Sequence, residues 1–152
     1  MTTDVKHDIK VLNELIETTL DSAHGYQDAA KDARNPAFKS LFERRAMQRK
    51  QITAELQNEV RKLGGEPEDD GTILAAAHRT FLNLKNSVTG DDKSVVNEVE
   101  RGEDHIKAKY EAALKDSALS APVKQTITTS YVSVKADHDQ MRDLKHELKL
   151  AS

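Results

Sequence analysis

Apolar residues recur along much of the chain at the three- and four-residue spacing of amphipathic α-helices. This pattern predicts four long helices, over about 4–34, 36–63, 92–117 and 121–149. Helix-breaking dipeptides mark two of the limits, since Asn35-Pro36 separates the first two helices and Gly64-Gly65 stops the second. The first two helices should therefore be antiparallel and joined by a tight turn.

The connection between the second and third predicted helices, residues 64–91, is far longer than two antiparallel neighbours need. An acidic stretch, GGEPEDDG, is followed by an apolar stripe that predicts a short fifth helix over 72–88. A connection of this length can return along a bundle, which makes the third helix parallel to the second. The sequence thus predicts one all-α domain over residues 1–152, a ferritin-like four-helix bundle with a long crossover that carries a short fifth helix.

Charge and composition disfavour some kinds of binding partner and exclude some kinds of chemical site. The net charge is −3, and 23 basic and 26 acidic residues are mixed along the chain, so no basic stripe is available for nucleic acid or a membrane surface. The absence of cysteine excludes disulfides, thiolate zinc sites and cysteine nucleophiles. The N-terminus, MTTDVKHDIKVLNEL, has no long apolar run, and we therefore expect a cytoplasmic protein.

Three blocks of the sequence resemble successive blocks of an uncharacterised bacterial ferritin-like family, a four-helix-bundle domain of unknown function. They are LNELIETTLDSAHGYQDAA, LGGEPEDDGTILAAAHRTFLNLKNSVTG and VERGEDHIKAKYEAAL. The resemblance extends from about Lys10 to Arg142. It implies a ferritin-like fold and an association with bacterial stress or starvation, but it implies no established reaction.

A dimetal site in a bundle of this kind takes one Glu from each of two helices and a Glu-x-x-His motif from each of the other two. The motif is missing here, because Lys135 precedes His138 by three residues and Gly102 precedes His105 in the same way. A partial set of metal ligands remains on the predicted helices: Glu17, Glu55, Glu100, Glu103 and His138. Iron or manganese would suit these ligands, and an absence of metal is an equal alternative.

Two arginines compete with the metal hypothesis. Arg45 and Arg49 lie nearest the middle of the apolar face of the second predicted helix, where a cation disfavours a bound metal. If either points inward near Glu103, the bundle holds a buried ion pair instead, since an unpaired buried charge is very unfavourable. A separate stripe on the first helix, with Asp21 and His24, lies away from the apolar face and is expected to face water.

Two functional classes follow from these residues. We favour a non-enzymatic, stress-related interaction protein with a degenerate metal site, which forms a homodimer or docks another protein through the crossover helix with His78 and Phe81. The alternative is a metal-binding protein, di-iron or manganese, with oxidase or peroxide-handling activity. The orientation of Arg45 and Arg49 discriminates between them, because inward arginines favour the first class.

Overall fold

A computed structural model describes residues 3–69 and 91–151. Within these ranges the chain forms four α-helices and no strand: α1 (Thr3–Asp32), α2 (Pro36–Lys62), α3 (Asp92–Leu114) and α4 (Ala121–Ala151). The prediction of an all-α four-helix bundle is confirmed. The fifth helix predicted over 72–88, with His78 and Phe81, lies outside the described residues.

Local capping chemistry sets where the helices begin and end. The Asn35 side chain accepts a hydrogen bond of 2.9 Å from the Ala37 backbone N–H and caps α2, whose first residue is a proline. At the other end of α2, Gly64 has φ 85° and the Gly65 N–H donates to the Val60 carbonyl at 3.0 Å. This is a Schellman stop, and it ends α2 at Lys62, one residue before the predicted limit.

The other helix limits also lie close to the predicted ones. α1 ends at Asp32 rather than at 34, and α4 continues to Ala151 rather than stopping at 149. α3 ends at Leu114, before the predicted 117, because the Asp116 carboxylate accepts a hydrogen bond of 2.9 Å from the Ala118 N–H and forms a turn there.

The long connection places α3 parallel to α2, as predicted. The Asp92 carboxylate accepts hydrogen bonds of 2.7 and 2.9 Å from the backbone N–H groups of Arg34 and Asn35, so α3 begins beside the α1–α2 turn. At its other end the connection to α4 lies near the start of α1, where the Ser120 N–H donates to Asp8 at 3.0 Å. Residues 64–91 therefore join opposite ends of the bundle, which is the one-crossover topology of ferritin-like folds.

The buried apolar residues form two clusters, one toward each end of the bundle. The cluster nearer Gly64 includes Leu12, Ile16, Leu56, Val60, Ile106, Tyr110 and Ile127. The cluster nearer the α1–α2 turn includes Tyr26, Phe42, Ala46, Val96, Val99 and Met141. Polar side chains occupy the middle of the bundle, between these clusters. No helix in the described part of the chain has the length and apolar content that a bilayer span requires.

Two glycines in helical surroundings should respond oppositely to alanine. Gly64→Ala should lower the free energy of unfolding by about 1–2 kcal/mol, because an L side chain is strained at a φ of 85°. Gly102→Ala should raise it by about 0.5–1 kcal/mol, because Gly102 lies inside α3 and an added Cβ meets no atom within 4 Å. Urea unfolding followed by circular dichroism measures both, and changes of the same sign would contradict this account of the α2 stop.

Candidate functional site

The centre of the bundle contains an ion pair that is closed to solvent. The Arg49 side chain is 0% exposed and that of Glu103 is 1% exposed. Arg49 Nη2 lies 2.9 Å from both carboxylate oxygens of Glu103 and 3.2 Å from Asp137 Oδ2, while Nη1 donates to Ser22 Oγ at 2.7 Å. Burial alone would lower the pKa of Arg49, but the attraction of Glu103 outweighs it and the pKa is raised. Arg49 therefore stays charged.

Tyr26 and Arg45 complete this arrangement, which we term the central network: Tyr26, Arg45, Arg49, Glu103 and Asp137. The Tyr26 hydroxyl donates to Glu103 Oε1 at 2.6 Å and accepts from Arg45 Nη1 at 3.3 Å. Both guanidinium groups lie over the Tyr26 ring, 5.6 and 5.5 Å from its centroid. Burial, and then the charge of Glu103, raise the pKa of Tyr26 well above its usual value, so the phenol remains a donor.

The central network balances its own charge. Arg45 Nε lies 3.4 Å from Asp137 Oδ1, and Arg49 is paired with Glu103 and with the other oxygen of Asp137. Two cations thus face two carboxylates, and all four carboxylate oxygens already contact an arginine. These residues do not fit a dimetal centre, because such a centre needs inward carboxylates with oxygens available for the metals.

A second polar group, which we term the seam group, lies where α3 and α4 meet. It comprises Glu100, Asp104 and His138, each of which offers a ligand atom within 4.8 Å of the others. His138 Nε2 is 2.6 Å from Asp104 Oδ1, and Nδ1 is 3.1 Å from Asp139 Oδ1. Glu100 and His138 are buried, whereas Asp104 is exposed. The group is therefore partly desolvated but has one ligand at the surface.

Helix geometry explains how the seam group forms. Glu100 and Asp104 are one turn apart on α3 and share a face, which meets His138 on α4. Burial lowers the pKa of His138, but its hydrogen bonds with Asp139 and Asp104 outweigh burial and the pKa is raised. The hydrogen bonds with His138 and Lys135 lower the pKa of Asp139 to about 2.

The structure separates the metal ligands that the sequence predicts. Glu100 and His138 come together in the seam group, whereas Glu103 turns to Arg49 in the central network. Glu55 is exposed on α2 and Glu17 is half-buried on α1, and neither belongs to the seam group. Their role as ligands stays a prediction. Sequence reasoning missed Asp104, although its position one turn after Glu100 was a usable signal.

The stripe on α1 that contains Asp21 and His24 is more buried than the sequence pattern predicts. Asp21 and His24 were expected to face water, but both are half-buried, and Asp21 Oδ1 is buried without a hydrogen-bond partner among the described residues. Burial, with a smaller contribution from the charge of Glu17, raises the pKa of Asp21 from 3.8 to about 6. The α1 stripe is therefore less solvated than the sequence pattern suggested.

Comparisons with known proteins agree with this architecture. A family described as a domain of unknown function (DUF2383) matches residues 7–116. A point mutant of Dps1 from Mycobacterium smegmatis has a TM-score of 0.78 at 9% identity, covering 95% of this chain and 99% of that one. A structure described as ferritin-like, diiron-carboxylate proteins from Bacillus anthracis has a TM-score of 0.64 at 18% identity and covers 99% of each chain. No curated protein matches.

At these identities the two solved structures show the fold alone. Together with the family match, they confirm the predicted resemblance to an uncharacterised ferritin-like family.

Removal of one charge should reveal the energetics of the central network. Arg49→Met should lower the free energy of unfolding by about 3–5 kcal/mol, because it leaves the buried carboxylate of Glu103 without its cation. Lys50→Met, at an exposed position on the same helix, should change it by no more than about 0.5 kcal/mol. Urea unfolding measures the free energy of unfolding of both variants. Equal losses would show that the buried ion pair stabilises the fold no more than an exposed side chain does.

The raised pKa of Asp21 predicts a pH-dependent stability. Because the folded-state pKa of about 6 exceeds the ordinary 3.8, the folded state binds more protons between these values, and stability falls as pH rises through that window. Asp21→Asn should therefore stabilise the protein by about 1–2 kcal/mol near pH 7.5, after allowance for solvent screening, and by much less near pH 4.

Thermal unfolding at the two pH values measures this difference. Glu14→Gln, an exposed change on the same helix, is the matched control. A stabilisation by Asp21→Asn that is the same at both pH values would contradict an ionised, desolvated Asp21.

Proposed function

The chain belongs to the family described as a domain of unknown function, DUF2383, and on that premise we propose that it is a non-enzymatic ferritin-like interaction protein. In this proposal the bundle acts through its surface, and an ion-pair network replaces dimetal chemistry at its centre. The observation that carries the proposal is the full burial of Arg49 between Glu103 and Asp137.

Electrostatics supports this proposal. Two unit charges of like sign 4 Å apart repel by about 4 kcal/mol at an effective dielectric constant of about 20, and a divalent ion doubles that repulsion. A metal pair beside Glu103 would have to displace Arg49, whose side chain also contacts Ser22 and Asp137. If Arg49 stayed in place instead, its guanidinium would be buried beside the metal without a free counter-charge, which is more unfavourable than the present arrangement.

We propose a bacterial, cytoplasmic, stress-related protein that forms a homodimer and binds protein rather than nucleic acid or membrane. The resemblance of three sequence blocks to a bacterial stress- or starvation-associated family supports the link to stress. The net charge of −3, without a basic stripe, supports a protein partner.

The alternative function is a dimetal oxidoreductase that binds iron or manganese. It rests on the likeness to a structure described as diiron-carboxylate proteins, which shares 18% of its sequence with this chain. Its ligands would be drawn from Glu17, Glu55, Glu100, Glu103 and His138, as the sequence predicts. This alternative requires Arg45 and Arg49 to leave the bundle centre, where both side chains are buried.

Metal loading tests the two functions directly. The purified protein is incubated anaerobically with ferrous ion, desalted, analysed for iron by elemental mass spectrometry, and then exposed to oxygen. We expect that no iron binds through Glu103, because Arg49 contacts both of its carboxylate oxygens. The rate of ferrous oxidation should equal the rate in protein-free buffer.

Two variants make the result specific to the bundle centre. Glu103→Gln removes the central carboxylate charge, and Glu43→Gln, at an exposed position on α2 that is not a candidate ligand, is the control. About two iron ions per chain in the wild type, lost in Glu103→Gln and retained in Glu43→Gln, would contradict the proposal and establish the alternative. Metal that still binds to Glu103→Gln does not depend on the central carboxylate and is therefore consistent with the proposal.

A further inference from the structure

A cation site of a different kind is present at the surface seam between α3 and α4. The seam group brings one imidazole and two carboxylates within 4.8 Å of one another, and none of its side chains belongs to the central network. We propose that Glu100, Asp104 and His138 bind a single divalent first-row transition-metal ion. The inference does not rest on the proposed function, because that function is argued from Arg49, Glu103 and Asp137, none of which belongs to the seam group.

The orientation of His138 supports metal binding. Nδ1 lies 3.1 Å from Asp139 Oδ1, and Nε2 is directed to Asp104. In metal sites a carboxylate on one ring nitrogen fixes the tautomer and leaves the other nitrogen free to coordinate. Asp139 can hold His138 in this way, so that Nε2 faces the two carboxylates of α3 as a ligand.

Burial and access are also suited to a bound ion. His138 and Glu100 are 8% and 9% exposed, so two of the three ligands are positioned by the helix seam. The Asp104 side chain is 57% exposed and gives the ion a route from solvent. A site with buried, rigidly held ligands and one ligand at the surface can load without opening the bundle.

The donor set determines which ions should bind. An imidazole suits zinc, iron and other first-row transition ions, whereas magnesium and calcium prefer oxygen ligands alone. The chain has no cysteine, so the soft thiolate sites that favour copper(I) are excluded. We therefore expect zinc to bind in preference to magnesium at the seam group.

Lysines of the two helices face the same site and compete with the ion. Lys145 Nζ lies 3.3 Å from Glu100 Oε2, and its side chain is 44% exposed. Lys107 lies close enough to lower the pKa of His138 by its charge. Lys135 and Arg142 contact Asp139 rather than the ligands. Because Lys145 is partly exposed, it can turn to solvent when a cation neutralises Glu100, and its removal should strengthen binding.

The experiment is a zinc titration of the full chain after chelator treatment and desalting. Equilibrium dialysis followed by elemental mass spectrometry gives the stoichiometry, and isothermal titration calorimetry gives the dissociation constant. We expect one zinc ion per chain in the wild type, a dissociation constant raised at least about tenfold in Asp104→Asn and His138→Gln, and one lowered in Lys145→Gln. Zinc should raise the thermal midpoint of the wild type but not the midpoints of Asp104→Asn and His138→Gln.

His105→Gln is the matched control, since His105 is exposed on α3 beside Asp104 and outside the seam group. It should bind zinc as the wild type does. Asp104→Asn changes an exposed side chain, so its fold, checked by circular dichroism, should be intact even if His138→Gln unfolds. The proposal is overturned if the wild type does not bind zinc saturably, if Asp104→Asn binds as tightly as the wild type, or if magnesium competes equally.

Discussion

One buried guanidinium connects the four described helices. Arg49 extends from α2 and contacts Ser22 on α1, Glu103 on α3 and Asp137 on α4, so a single side chain touches every other helix of the bundle. A charge at 0% exposure is tolerable only when its counter-charges are in place. A shift of α3 or α4 by one turn would separate Arg49 from its carboxylates. We infer that the pair restricts the register in which these helices can pack.

The two apolar clusters are arranged around this constraint. The cluster nearer Gly64 and the cluster nearer the α1–α2 turn supply apolar burial at the two ends, while the middle is held by directed polar contacts. Tyr26 links the two kinds of packing, because its ring packs in one cluster and its hydroxyl donates to Glu103. The bundle therefore combines non-directional burial with a central layer that permits few alternative pairings.

Sequence reasoning predicted the fold from local signals. Asn35-Pro36 and Gly64 act as the cap and the stop that their residue types indicate, and the length of residues 64–91 determines the parallel course of α3. The interior was harder to predict. The apolar pattern placed Arg45 and Arg49 near the buried face, but the direction of a long, flexible side chain depends on whether counter-charges from other helices meet it.

The surroundings of Asp104 and Asp21 also depend on packing between helices, and the sequence did not predict them. Asp104 lies beside the apolar face of α3 in the sequence, and its closeness to His138 depends on how α3 and α4 are rotated against each other. The spacing of residues within one helix does not specify how two helices are rotated against each other. The half-burial of Asp21 likewise arises from packing that the periodicity of α1 does not report. The sequence could thus rank candidate ligands by type, but only tertiary structure could group them.

Helix periodicity also explains how α3 and α4 supply two polar sites of opposite character. Glu100 and Glu103 are three residues apart, close to one turn, yet the difference of about 60° in direction sends Glu103 to the centre and leaves Glu100 at the seam. Asp137 and His138 are divided in the same way, by about 100°. Arginines from α2 reach only the inner pair and neutralise it. The outer pair lies beyond the contacts of these arginines, and Glu100 instead contacts the partly exposed Lys145, which can turn to solvent when a cation binds Glu100 and Asp104.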